Sequence, residues 1–381
     1  METGIVEKTD VRKSKVSTGI KARMELAQEH MKAKRLDEAM EIFESILKGE
    51  PEVAAAYVGI GTIHFLKGNY DEAENYLNGA LHLNDKYSQA MHMLANVSAK
   101  RGDLKLSLTQ HGEALKFNPK MNMARLAVGR IHIQLEQYDE AEKTLKEALR
   151  YNPQYTEAAL MLSQMLQIQG QTDKALANLD ELIERTPDVW QAYIVKGKLL
   201  MRKGDYKSSV AVIQKSLKIK PDNPVAFLFL GQVYIADKQY DQAINVLKKA
   251  IALNPNMDIA KMQLSKAYTY MENYDEAKKI LQELSMGENR LSLIHFRLAD
   301  IFAKQGQYSL AVPEYEAAVL HADKIAENYP ELLNIKQMNG DAENIVKAYQ
   351  TVLNKIKLDF DQSRNPDKNI ELNESMNSNK D

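Results

Sequence analysis

Residues 137–153, QYDEAEKTLKEALRYNP, return almost letter for letter at 239–255 as QYDQAINVLKKAIALNP. The two stretches lie 102 residues apart, three periods of 34. A fixed period of this length marks stacked supersecondary units, none of which can bury its apolar face alone, and it takes precedence over any reading of single elements. In rows of 34 the chain fills nine rows without an insertion, starting at Ile20, Ala54, Ser88, Asn122, Thr156, Trp190, Pro224, Asp258 and Ser292.

Three columns of this grid carry steric meaning. The eighth holds only Ala, Gly or Ser, from Ala27 and Gly61 to Ser265 and Ala299, and the twentieth only Ala or Ser, from Ala39 to Ala311. Small residues kept in phase predict two helices that approach too closely for a larger side chain. The thirty-second column holds Pro51, Pro119, Pro153, Pro187, Pro221 and Pro255, with the turn formers Asp85, Asn289 and Asp323 in other rows. A ring that cannot continue a helix ends each row. Apolar residues at helical spacing, such as Leu126, Ile133, Ala141, Leu145 and Leu149, make each row two short amphipathic helices. Gly68, Gly102, Gly170, Gly204 and Gly306 sit between them, suited to a left-handed helix end.

These columns run in phase with aromatic positions such as Tyr57, Tyr193, Phe227, Tyr234 and Tyr268, and the sequence thereby resembles the tetratricopeptide repeat family over residues 20–325. The resemblance implies an all-α fold, a right-handed superhelical solenoid of nine helix-turn-helix repeats whose first helices line the concave side. The pattern is broken in three places. His111 stands where a large apolar residue is usual, row eight lacks the closing proline, and Pro313 lies deep in the second helix of row nine. Beyond the rows, Ile345, Val346, Tyr349, Val352, Leu353 and Ile356 follow an Asn-Gly turn at helical spacing, which predicts a helix capping the open end of the stack. The expected layout is a disordered polar segment over 1–19, the solenoid over 20–325, capping helices over 326–360 and a disordered tail over 361–381.

Composition narrows the function. A formal charge of −2 and a pI of about 6.5 supply no global drive toward nucleic acid or an anionic membrane. No run of apolar residues is long enough to span a bilayer, and the N-terminal stretch lacks the apolar core of a secretory signal, so a cytoplasmic protein is expected. The chain has no cysteine, which excludes disulfides and thiol chemistry. His30, His64 and His132 share the eleventh column with Tyr234, Tyr268 and Phe302, and are read as core-filling residues with no metal role. The Arg101-Gly102-Asp103 tripeptide and the Gly59-Ile60-Gly61 stretch are explained by the repeat itself. No nucleophile, base and acid set stands out, so neither catalysis nor a cofactor is expected.

On the resemblance, columns 2, 5, 6, 9, 12 and 13 face the groove. They hold nine bases (Lys21, Lys32, Lys100, Arg130, Lys198, Arg202, Lys266, Arg297, Lys304) against three acids (Glu25, Glu157, Asp300), together with seven of the 17 methionines. Methionine recurs on surfaces that accept apolar partners. Rows four to eight supply the candidate groove: Leu126, Arg130, Ile133, Leu160, Met161, Gln164, Ile194, Lys198, Met201, Arg202, Leu228, Phe229, Gln232, Met262, Lys266 and Tyr270. Its apolar members fit either an exposed groove or inter-repeat core. The expected partner is a protein or peptide, amphipathic and acidic, held by a non-catalytic scaffold or adaptor in a multiprotein complex. A self-assembling structural protein and a regulatory subunit of an enzyme complex are the alternatives. Co-chaperone members of the family grip a chain-terminal carboxylate with a fifth-column lysine. No row here has one, so that motif is not expected to bind.

Overall fold

The computed structural model describes residues 19–285, 291–320, 335 and 342–363, and all regular structure among them is helical. Helix pairs follow one another as α1 (19–32) and α2 (Leu36–Gly49), α3 (Ala54–Lys67) and α4 (Tyr70–Leu83), α5 (Ser88–Lys100) and α6 (Leu104–Phe117), α7 (Asn122–Gln134) and α8 (Tyr138–Tyr151). The series continues with α9 (Thr156–Ile168) and α10 (Thr172–Arg185), α11 (Trp190–Arg202) and α12 (Tyr206–Ile219), α13 (Pro224–Ala236) and α14 (Tyr240–Leu253), α15 (Asp258–Tyr270) and α16 (Tyr274–Ser285), α17 (Leu291–Lys304) and α18 (Tyr308–Leu320). A last helix, α19, covers Ala342–Ser363. From α3 to α15 every first helix starts at a row boundary, and every second helix starts at column 17.

The chain divides into two compact units, residues 1–162 and 163–381. In both, the small columns set the distance between paired helices. A Cβ built on Gly61 in the first unit would lie 2.8 Å from Leu77 Cγ, and one on Gly129 2.9 Å from Leu145 Cδ2. In the second unit Gly197 and Gly231 leave a Cβ 2.5 Å from Ile213 Cγ1 and Leu247 Cγ. The side chain that needs this room is always the fully buried residue of column 24. Serines in the same columns serve a second purpose, because their hydroxyls donate to the carbonyl of the facing small residue. Ser107 bonds Ala95 O at 2.7 Å, Ser209 bonds Gly197 O at 2.7 Å, and Ser265 bonds Ala277 O at 3.3 Å. A buried hydroxyl without a partner costs about 1–3 kcal/mol, so the close carbonyl is what admits serine here.

The turns obey one rule. Gly68, Gly102, Gly170, Gly204 and Gly306 take φ between 71° and 89°, and Lys34, Glu136, Lys238 and Glu272, which occupy the same column, take φ between 57° and 60°. All nine rows therefore close the first helix in the left-handed region, with or without glycine. Bases at the end of one first helix reach acids in the first turn of the preceding second helix: Lys67 to Asp37 at 2.5 Å, Arg101 to Asp71, Lys203 to Asp173 at 2.6 Å, and Arg101 also reaches Glu74 one turn further on. Each charge also complements its own helix dipole.

In the second unit α19 packs on α18. Tyr349 stacks on Tyr315 with centroids 5.3 Å apart, and Val346 is buried beside them. That matches the expected capping face for Ile345, Val346, Tyr349 and Val352. Leu353 and Ile356 lie on the same helix, while most of 326–341 and nearly all of the two terminal segments expected to be disordered lie outside the described residues. Helix α18 runs through Pro313 without interruption.

Candidate functional site

In the second unit α11 lies beside α13 and α13 beside α15, so the first helices share one face. Column 5 does not belong to its open part. Ile194, Leu228 and Met262 are only 5%, 6% and 5% exposed. Ile194 joins a core with Ile213 and Leu230, Leu228 one with Leu247 and Leu264, and Met262 one with Leu281 and Ile294. Of the two readings left open for the apolar candidates, exposed groove or inter-repeat core, these three are core. Column 5 lies three residues before the small column 8, on the side that meets the neighbouring helices, and in these three rows the neighbouring repeat covers it. In the first unit, Val58 and His92 in the same column are buried too.

The remaining candidates keep access to solvent. In the first unit Arg130 is exposed, and Leu126, Ile133, Leu160 and Met161 are half-buried. In the second, Gln164, Arg202 and Tyr270 are exposed, and Lys198, Met201, Phe229, Gln232 and Lys266 are half-buried. Lysines lie over the aromatic rings. Lys198 Nζ is 4.7 Å from the Phe229 ring centroid, and Lys266 and Lys304 approach the Tyr270 ring at 5.7 and 5.9 Å. Burial, and secondarily the charge of Arg202, lowers the Lys198 pKa from its ordinary range. Among the described residues no carboxylate offsets these two effects.

A cavity of about 570 Å³ opens on this face, and the structure brings Met201, Gln232, Lys266 and Tyr270 together around it. Ile235, Ala236, Lys238, Tyr240 and Gln263 complete the lining. Lys238 and Tyr240 were not among the groove columns, since they sit in the turn and at the start of α14. Tyrosine recurs at the start of the second helix (Tyr70, Tyr138, Tyr206, Tyr240, Tyr274, Tyr308), which disguised Tyr240 as a repeat feature. Among the described residues Tyr240 is the one that stacks near-parallel on a groove residue, Tyr270, at 5.0 Å and 21°, whereas Tyr70 meets Phe65 in a tilted contact at 52°.

The eleventh-column histidines are half-buried. His64 stacks on Tyr76 at 5.4 Å, and His132 Nδ1 lies 2.8 Å from Gln137 Oε1. No group of three or more metal-ligating side chains occurs among the described residues, and no described helix is long and apolar enough to cross a membrane.

Two family profiles described as tetratricopeptide repeat match the sequence, one over residues 30–97, 132–199, 200–247 and 234–290, the other over 92–156. No curated protein matches it significantly. Among solved structures, the IFIT1 monomeric mutant with Gppp-AAAA is 16% identical, covered at 88% of this chain and 90% of its own, with a TM-score of 0.51. The Cut9-Hcn1 hetero-tetramer of the APC/C is also 16% identical, at 82% and 59% coverage and a TM-score of 0.50. A tetratricopeptide repeat protein from Parabacteroides merdae is 22% identical over 66% of this chain and 99% of its own, with a TM-score of 0.47. At these identities the likeness concerns the fold alone.

Proposed function

This chain belongs to the tetratricopeptide repeat family, and from that premise we propose that it is a non-catalytic scaffold holding an amphipathic, acidic segment of a protein partner against its first-helix face, in the service of a multiprotein complex. One observation carries the reading. In the groove columns of the second unit, among the described residues, Lys198, Arg202, Lys266, Arg297 and Lys304 stand against one acid, Asp300. The whole chain carries −2, so this strip is opposite in sign to the molecule that bears it. Such a strip steers acidic partners and raises their association rate. Half-buried Met201, Phe229 and Gln232 between the bases supply apolar area and amides, the mixture an amphipathic segment needs.

Site-specific photo-crosslinking tests it. A benzophenone side chain at Gln164, on the first-helix face, should capture one partner protein, whose cross-linked peptide is acidic and amphipathic by mass spectrometry. The same group at the exposed Lys215 on α12 should not. Equal capture from Lys215 would sink the assignment of the face.

A further inference from the structure

Past the end of α19 at Ser363 the sequence is polar except in one place. Ile370, Leu372 and Met376 are the only large apolar side chains of residues 364–381, and the stretch they span also holds Glu371 and Glu374 and no base. This island repeats in miniature the chemistry argued for a segment on the first-helix face. The face carries a matching stretch. In rows six and seven its groove columns hold Lys198 and Arg202 and no acid. The neighbouring Lys196 and Lys203 are paired with Asp180 and Asp173, whereas among the described residues no salt bridge engages Lys198 or Arg202. Those two stand four apart on α11, where like charges repel across one helix turn. Apolar surface surrounds them. Lys198 Nζ lies 4.7 Å from the Phe229 ring centroid, Met201 is half-buried, and Val225 and Ile259, at column 2 of rows seven and eight, are 37% and 41% exposed.

Resting on the reading of this face as a partner surface, we propose that residues 369–376 of the same chain dock on it between α11 and α13 and compete with the partner. Ile370, Leu372 and Met376 supply the apolar contact with Phe229 and Met201, and Glu371 and Glu374 bring carboxylates to Lys198 and Arg202. An anion there offsets the repulsion between the two bases and compensates the water that burial takes from Lys198. Charge selects this segment over the other end of the chain, because residues 1–18 carry four bases against three acids. Tethering selects it over a free competitor. It follows α19 in the unit that carries the face, and the six residues from Arg364 to Asn369 reach up to about 20 Å. A short tether that spans its site gives an effective concentration on the order of millimolar, so individually weak contacts suffice. The partner then meets only the fraction of molecules whose face is open, and its apparent affinity falls by that fraction.

The chain has no cysteine, so two engineered thiols report a single contact in the full-length protein. Asn373→Cys is combined either with Gln232→Cys, one turn from Phe229 on α13, or with Lys215→Cys at an exposed position of α12. Disulfide formation under mild oxidation is followed by non-reducing electrophoresis and mass spectrometry. The pair at 373 and 232 should close within one molecule, and about tenfold or more faster than the pair at 373 and 215. Lys198→Glu with Arg202→Glu should slow that closure about tenfold, and so should rising salt, to a smaller degree. Glu371→Lys with Glu374→Lys should slow it equally. That change alters no described residue, so it decides the matter if the α11 double variant does not fold. It should also increase capture of the partner by a benzophenone at Gln164. Equal rates at 232 and 215, or a rate indifferent to both charge reversals, overturn the inference. A disulfide-linked dimer as the main product overturns it too, and gives the face to the segment of a second copy. If the thiols do not close while Gln164 still captures an acidic partner, this inference alone falls. If they close and Gln164 captures nothing even with Glu371→Lys and Glu374→Lys, the partner reading falls and the segment remains the occupant of the face.

Discussion

His92 Nδ1 lies 3.3 Å from His111 Nδ1, with the rings 5% and 0% exposed. The amide of Asn96 donates to His92 Nε2 at 3.3 Å, so neutral His92 carries its proton on Nδ1 and donates it to His111. His111 then keeps its proton on Nε2, which is buried without a partner. The pair is stable only while both rings are neutral. Burial lowers both pKa values, and with the added repulsion of His92 it brings His111 to about 3.

A pH dependence follows with a definite sign. The folded pKa values are depressed, so the unfolded chain binds more protons, and stability present above about pH 6.5 is lost as pH falls toward about 3. Between pH 7.5 and 5.5, His111 alone should cost the first unit about 1.4 kcal/mol, with His92 adding in the same direction. Hydrogen exchange of the peptides spanning 88–117 at the two pH values measures it. His111→Leu, which restores the residue type of column 24 in other rows, should remove that share. An identical acid loss in the variant would rule the pair out as its source.

Glycines divide by what a methyl group would meet. At Gly231 and Gly197 a Cβ falls 2.5 Å from Leu247 and Ile213, so alanine should overpack the helix pair and destabilise the second unit by about 1–3 kcal/mol. At Gly112, inside α6, a Cβ meets nothing within 4 Å, and alanine should stabilise by about 0.5–1 kcal/mol. Urea unfolding of the three single variants should order them with Gly112→Ala above wild type and the other two below.

The left-handed turn column offers the reverse change. Glu136 and Glu272 hold φ of 57° and 59°, a conformation that costs a non-glycine residue roughly 1–2 kcal/mol. After the entropy glycine loses on folding, Glu136→Gly and Glu272→Gly should each gain up to about 1 kcal/mol. Gly204→Ala should lose a comparable amount. Thermal melting of these variants checks the sign in both directions.

Core and face can be told apart by substitution. Ile194→Ala opens the core shared with Ile213 and should cost about 2–5 kcal/mol. Lys198→Glu with Arg202→Glu should leave melting close to wild type but slow association with the captured partner at low salt, an effect that fades as salt rises. Salt-independent association would remove the electrostatic contribution altogether.

The repeat period was enough to define the helices, because a steric requirement recurring every 34 residues is visible in one dimension. Ala, Gly and Ser at columns 8 and 20 announce close helix pairs, and the structure puts them there in every described row. The charge of the first-helix face was legible for the same reason, since bases at fixed columns share a face whatever their rotamers. Burial at column 5 was not. Leu126 and Leu228 are the same residue type in the same column, yet one is half-buried and the other is 6% exposed, because the neighbouring repeat, and not the residue itself, supplies the cover. The cavity likewise required three rows at once: Met201 from the sixth, Lys238 and Tyr240 from the seventh, Lys266 and Tyr270 from the eighth. A periodic sequence specifies each unit and its contact with the next, whereas a site assembled from the differences between units exists only once their side chains share space.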